Sequence, residues 1–240
     1  MVTTERQSHK ALSVPDRDAD APSLPISPTS TEWALRRRLL ELLSRPSQPQ
    51  HMTYEEFLAW ADEDTLAEWV DGEVIMTSPA SRQHQVIANF LLSVIRTYVE
   101  ERNLGLVISA PFQLRLARSG REPDLLFLAK EHLERLRETY IDGPADLVVE
   151  IVSPESAGRD RGDKFYEYEQ AGIAEYWLVD AGNKRAEFYQ LGSEGLYQLV
   201  PPDSAGVYRS RAIAGLWLRV AWLWETPPLL AVLRELALLP

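Results

Sequence analysis

The 240-residue chain contains no cysteine. Disulfides and thiolate metal sites are therefore excluded, and any metal must be held by oxygen or imidazole. No stretch approaches the apolar length of a membrane span. The first residues, Met1 to Lys10, lack the apolar centre of a secretory signal, so a cytoplasmic location is the expectation. Positive charge is also scarce: 25 Lys and Arg stand against 36 Asp and Glu, a formal net charge of −11. A nucleic-acid backbone favours a basic face, so this balance counts against the simplest nucleic-acid reading. It leaves room for a local basic groove and suits a protein that holds a divalent cation. No basic stripe and no internal repeat is visible.

What is present is enough chain for one large domain with extensions. Residues 1–30 mix Pro, Ser, Thr, Asp and Ala without periodicity and read as a disordered segment. Residues 31–51 read as a helix and linker: Trp33, Leu35, Leu39, Leu42 and Leu43 fit one helical face behind Thr31. A main domain is expected over 52–200. It opens on a short helix capped by Thr53 with Glu56 three residues on. Asp71-Gly72 between apolar runs predicts a hairpin, since both turn positions need positive φ. A long helix from about Ser81 to Arg102 carries Ile87, Phe90, Leu91, Val94, Ile95 and Tyr98 as its buried stripe. Strands are predicted over 106–110 and 112–117, then 123–128 and 146–152 as buried central strands. Residues 129–145 read as helical or irregular and 158–171 as one helix stopped by Gly172. Further strands are expected at 174–180, 185–190, 196–200 and 207–211. Residues 201–240 form an apolar extension with a final helix after Pro227-Pro228, a core cover or a self-association surface. Together with the Trp33 helix it points to a homodimer.

The chemistry gathers between Pro123 and Tyr168. Asp124 and Glu150 each sit in an otherwise apolar strand, where an unpaired carboxylate costs several kcal/mol. A cation or a basic partner must offset that cost. Hydrolysing a phosphodiester needs a charged transition state neutralised and a water activated, and hard cations held by carboxylates serve both needs. Asp124 and Glu150 are thus the first candidate metal ligands, with the backbone carbonyl of Ile151 as an extra oxygen. Asp160, Lys164 and Tyr168 are spaced to share one helical face, and Lys164 is placed to reach the scissile phosphate. The bland alternative is an Asp160–Lys164 surface pair worth about 0.3–0.5 kcal/mol. His84 either orients water or phosphate at the mouth or is a helix-start histidine bonded to backbone, the commoner situation. Arg115, Arg118, Arg121, Arg159 and Arg161 either converge as a phosphate-steering rim or are separately solvated.

The ordered set Glu73…Ser78-Pro79-x-x-x-x-His84, Pro123-Asp124, Val-Val-Glu150-Ile-Val-Ser153-Pro154, Asp160-Arg-Gly-Asp-Lys164…Tyr168 and Glu175-Tyr-Trp177-Leu-Val-Asp180 resembles the Uma-type endonuclease family. That family is placed in the PD-(D/E)XK nuclease superfamily, and the likeness spans roughly residues 52–192. It implies a restriction-endonuclease-like α/β fold, a mixed central sheet flanked by helices, with Mg2+ as the usual cation and Mn2+ as a substitute. Asp124 matches the first motif aspartate and Glu150 the second acid. The superfamily's lysine normally follows that acid by two residues, where this chain has Val152; Lys164 is its expected replacement. Glu73, and after it Glu68, is a candidate outer carboxylate.

The leading expectation is a metal-dependent endonuclease acting on DNA, with RNA also open. The alternative keeps the fold as a binding or assembly module without turnover, which the acidic balance favours. A carboxylate-pair glycosidase stands third, because paired acids also serve acid–base hydrolysis.

Overall fold

Local chemistry accounts for the first elements of the computed structural model, which describes residues 51–62 and 65–239. The segments expected at 1–30 and 31–50, including the Trp33 helix, lie outside the described residues. Thr53 caps α1 (Tyr54–Trp60) through a reciprocal box with Glu56, its hydroxyl accepting from the Glu56 amide. Strands β1 (Ala67–Val70) and β2 (Glu73–Met76) pair antiparallel around Asp71 and Gly72, whose φ values of 49° and 93° are those the turn demands. Ser81 caps α2 (Arg82–Glu101), and the whole predicted apolar stripe is buried.

After α2 come β3 (Gly105–Ser109), β4 (Gln113–Arg115), β5 (Ser119–Arg121), β6 (Leu125–Ala129) and a 3-10 turn over Lys130–Arg135. Then follow β7 (Tyr140–Asp142), β8 (Leu147–Val152), α3 (Ala157–Arg161), α4 (Asp163–Ala171), β9 (Glu175–Asp180), β10 (Arg185–Leu191) and β11 (Tyr197–Leu199). The chain closes with β12 (Val207–Arg209), β13 (Trp217–Arg219), α5 (Trp222–Glu225) and α6 (Leu229–Glu235). Three sheets result: a six-stranded one in the order β11-β10-β9-β8-β6-β3, a five-stranded one in the order β2-β1-β5-β4-β7, and the β12–β13 pair. The larger two are mixed, with β8–β9 and β4–β7 parallel and their other pairings antiparallel.

Alternation on the central strands separates two cores. Leu147, Val149 and Ile151 of β8 pack with the α2 stripe, whereas Val148 and Val152 face Tyr168 and Tyr176 on the opposite side. Glu150 shares parity with Val148 and Val152, so the pleat aims it at α4. The apolar tail covers the first core: Leu216, Leu218, Trp222, Leu223, Val232 and Leu236 all join it. Glu175, buried in β9, ties that tail down. Its carboxylate accepts from Trp177 Nε1, Tyr208 Oη, Ser210 Oγ and the amides of Arg211 and Ala212.

Three expectations need correction. Residues 129–145 contain a strand, β7, too short to signal itself and paired in parallel with the distant β4. The helix expected over 158–171 is broken at Gly162 (φ −117°, ψ −92°), where a Cβ would stand 2.8 Å from the Gly158 carbonyl oxygen. Finally, β6 starts at Leu125, which leaves Asp124 at a bend just ahead of the strand rather than within it.

Candidate active site

Asp124 and Glu150 are brought together by register. Leu125 pairs with Val149, so Asp124 lies beside the Glu150–Ile151 peptide, and its Oδ2 accepts from the Ile151 amide at 2.7 Å. Its Oδ1 is 3.1 Å from His84 Nε2 on the first turn of α2, whereas His84 Nδ1 is buried without a hydrogen-bond partner. The His84 ring thus meets the Asp124 carboxylate rather than the backbone.

Across the sheet, α4 supplies Lys164 and Tyr168 to Glu150. Lys164 Nζ and Tyr168 Oη each donate to Glu150 Oε1 at 2.9 Å. Lys164 Nζ also lies 2.8 Å from Glu68 Oε1 and 3.6 Å from Asp160 Oδ1. Asp160 and Lys164 are therefore a buried pair, not the surface pair of the bland reading, and they meet despite the break at Gly162. Ser156 Oγ donates to Asp160 Oδ2 at 2.6 Å, while Oδ1 is buried beyond hydrogen-bonding reach of any described group.

Glu68 takes the place expected for Glu73. It is buried on β1, whereas Glu73 is exposed on β2 and joins none of these contacts. Its Oε2 accepts from Arg121 Nη1 at 3.0 Å, and Oε1 accepts from the Glu122 amide at 3.2 Å. Arg121 turns its other nitrogens to both oxygens of Glu167 on α4, and Ser119 Oγ joins them. One chain of charges, Glu150–Lys164–Glu68–Arg121–Glu167, thereby ties the hairpin sheet to the helix beside the six-stranded sheet. Reasoning on the sequence overlooked Arg121, Glu122 and Glu167 as members and placed Glu68 second. The signal for Glu68 was there, a lone carboxylate in the apolar run Ala67-Glu-Trp-Val70.

The network explains its own electrostatics. Burial pushes the Glu150 and Asp160 carboxyls up, against the pull of Lys164. Burial alone would raise Glu68 too, but Lys164 and Arg121 overcome it and hold that carboxyl at about 2. For Glu122, burial and the Glu68 charge outweigh the Gln113 hydrogen bond and the pull of Lys164 and lift the carboxyl to about 7. Lys164 is raised, its own desolvation outweighed by Glu150 and Glu68.

Six carboxyl groups (Glu68, Glu122, Asp124, Glu150, Asp160 and Glu167) share this region with two cations, Arg121 and Lys164, a formal excess of four acidic groups. The available donors are hard oxygens, which suits Mg2+ or Mn2+. Among the described residues no three His, Cys, Asp or Glu side chains converge as a metal cage. A small hard cation that keeps several waters takes only one or two carboxylates from a protein. Asp124, Glu150 and the Ile151 carbonyl are the oxygen donors such an ion would take, and Asp160 Oδ1, which has no hydrogen bond, adds a further oxygen to the cluster. Side-chain exposure is 2 % for Glu68, 6 % for Glu150 and Lys164, but 17 % for Asp124 and 13 % for His84, so the Glu150 end of the cluster opens on the Asp124–His84 side, while Glu167 is partly exposed at the other end. An open concavity of about 460 Å³ elsewhere, lined by His51, Trp69, Asp71 and Arg118, includes none of these side chains.

Of the five arginines left open between a steering rim and separate solvation, four are ion-paired. Arg115 pairs with Glu55, Arg118 with Asp71, Arg121 with Glu68 and Glu167, and Arg161 with Glu187 and Asp180. Nearby carboxylates thus claim these four.

This arrangement of mixed sheets between helices places the protein in the nuclease-fold class. The chain belongs to the Uma2 family, described as "Putative restriction endonuclease", whose profile matches residues 54–221. It is similar to the crystal structure of "a putative nuclease belonging to DUF820" from Anabaena variabilis, at a TM-score of 0.61 and 18 % identity, covering 72 % of this chain and 98 % of that one. At that identity the likeness concerns the fold. It is also 27 % identical over 144 residues to the "Uncharacterized protein sll1609" of Synechocystis, covering 58 % of this chain and 80 % of the relative.

Proposed function

We propose that this protein is a metal-dependent endonuclease that hydrolyses phosphodiester bonds in DNA. The observation that carries the reading is the meeting of Asp124, at the head of β6, with Glu150 on β8 and Lys164 on α4, whose ammonium lies 2.9 Å from Glu150. Asp124, Glu150 and the Ile151 carbonyl would hold the cation. When bound, it supplies positive charge to the phosphoryl oxygens and lowers the pKa of a coordinated water.

The protein's own groups do the rest. Lys164, kept protonated by Glu150 and Glu68, presents a fixed positive charge beside the reacting phosphate. Tyr168 and Lys164 orient Glu150 from the buried side, while His84 holds Asp124 from the open side. Glu68 fixes the ammonium in place of the spacing that the superfamily's lysine normally has.

A second reading, a nuclease fold kept for binding or assembly without turnover, has one observation in its favour. Lys164 is already engaged by two carboxylates, and a lysine so held is a structural ion pair as much as a catalytic one. The deciding experiment is plasmid cleavage with Mg2+ or Mn2+ by the wild type, Asp124→Ala and Glu150→Ala. Cation-dependent cleavage lost in both variants supports the nuclease reading. A folded wild type that binds metal and nucleic acid but cuts neither DNA nor RNA refutes it in favour of the second.

A further inference from the structure

The side chains that open the site to solvent belong to one end of the molecule. Around Glu150, His84 and Asp124 are more exposed than Lys164, Glu68 or Asp160, and α2's first turn bears His84. The neighbouring Gln83 donates through Nε2 to the Ala181 carbonyl at 3.1 Å, which fixes that first turn to the β9–β10 turn. Register brings this turn to the same place, since Val152 at the end of β8 pairs with Asp180 at the end of β9. The segment leading into α3, which leaves β8 at Ser153, starts there as well.

Charge is distributed unevenly at this end. Asp180 and Glu187 are occupied: Arg161 donates to both, and Arg185 also reaches Glu187 at 2.7 Å. Asp180 further accepts from the amide and side chain of Asn183. By contrast Arg82 on α2 and Lys184 in the turn are exposed and make no ion pair among the described residues. Arg159 on α3 likewise has none, and its Nε is buried without an acceptor. The first turn of α2 contains no acidic residue. Across the first turn and the β9–β10 turn, with their partners Arg161 and Glu187, four cations (Arg82, Arg161, Lys184, Arg185) face two carboxylates (Asp180, Glu187), an excess of two positive charges on a chain whose total is −11.

We infer that Arg82 and Lys184, with Arg159 behind them, form the phosphate track along which a nucleic-acid strand leaves the Asp124–His84 mouth. The inference rests on the nuclease reading and adds which surface holds the substrate. Backbone phosphates recur along a strand, so two uncompensated cations on elements pinned together by Gln83 engage successive phosphates without reading bases. The arginines of the β4–β5 region, which the sequence suggested for this role, are neutralised by their own carboxylates and contribute little.

The test is fluorescence anisotropy with a labelled 30-base-pair DNA duplex in Ca2+, across a salt series. It compares wild type, the double variant Arg82→Gln/Lys184→Gln, and Arg118→Gln as the control from the other region. Both target side chains are exposed, and unchanged melting temperatures confirm folding. The double variant is expected to bind about tenfold more weakly, with a log–log salt slope shallower by about 1.8, since each phosphate contact contributes about 0.9. Arg118→Gln is expected to match wild type within about twofold. A double variant with wild-type affinity and slope overturns the track and leaves the nuclease reading standing; a wild type that binds no DNA overturns both.

Discussion

Removing the ammonium of Lys164 tests the whole network. In Lys164→Met the packing volume is largely kept while the charge goes. Glu68 retains Arg121, but Glu150 keeps only the Tyr168 hydroxyl, and Asp160 only the Ser156 hydroxyl. Breaking a buried pair by taking one partner costs about 3–5 kcal/mol, because the remaining charges are left uncompensated in a poor solvent. For a domain of this size that lowers the melting temperature by about 6–20 °C. The pH dependence gives a sign to check. Glu150 and Asp160 have folded-state pKa values above their unfolded ones, so protonation favours the folded state and its contribution fades as pH rises through the folded values. Losing Lys164 raises both further, so the deficit should be largest near pH 8 and shrink toward pH 5. Urea denaturation of wild type and variant at both pH values, with EDTA present, measures it. A loss below about 1 kcal/mol, or one that does not change with pH, would refute the claim that Lys164 neutralises this cluster.

Two further outcomes are expected. Glu122 rises from 4.5 to about 7 in the folded protein, so its contribution is fully present below pH 4.5 and is lost as pH rises through 7. Glu122→Gln, which imitates the protonated acid, should be more stable than wild type at pH 8 by about 1–2 kcal/mol after solvent screening is allowed for. Thermal melts in EDTA should show that gap closing at pH 5; a constant gap would mean that Glu122 does not titrate there. Gly120 lies under the Tyr54 ring, where a Cβ would come within 2.2 Å of Cε2 and 3.0 Å of Gln113 Oε1. Gly120→Ala should therefore cost about 1–3 kcal/mol by overpacking. Chemical denaturation showing no loss would mean that α1 moves aside freely.

The sequence by itself determined the local elements and marked two carboxylates that need partners. Thr53 with Glu56, Asp71-Gly72, and the stripe from Ile87 to Tyr98 each carry their instruction within a few residues, through caps, positive φ and helical periodicity. Asp124 and Glu150 stood out because a carboxylate in an apolar run needs a partner, a rule that requires no knowledge of who the partner is. Partners are a different matter, because they come from distant chain. Glu68 reaches Lys164 across 96 positions only because β1 joins β5 in a second sheet that lies against α4. Glu73, five residues further along the same hairpin, turns instead to solvent. The arginines posed the same difficulty. Their positive charge is legible, but whether it faces a phosphate or a carboxylate depends on which strand ends meet, and Arg115, Arg118, Arg121 and Arg161 all met carboxylates. Charge type is a property of the residue; charge compensation is a property of the fold, since Coulomb energy depends on distances that only the packed chain sets.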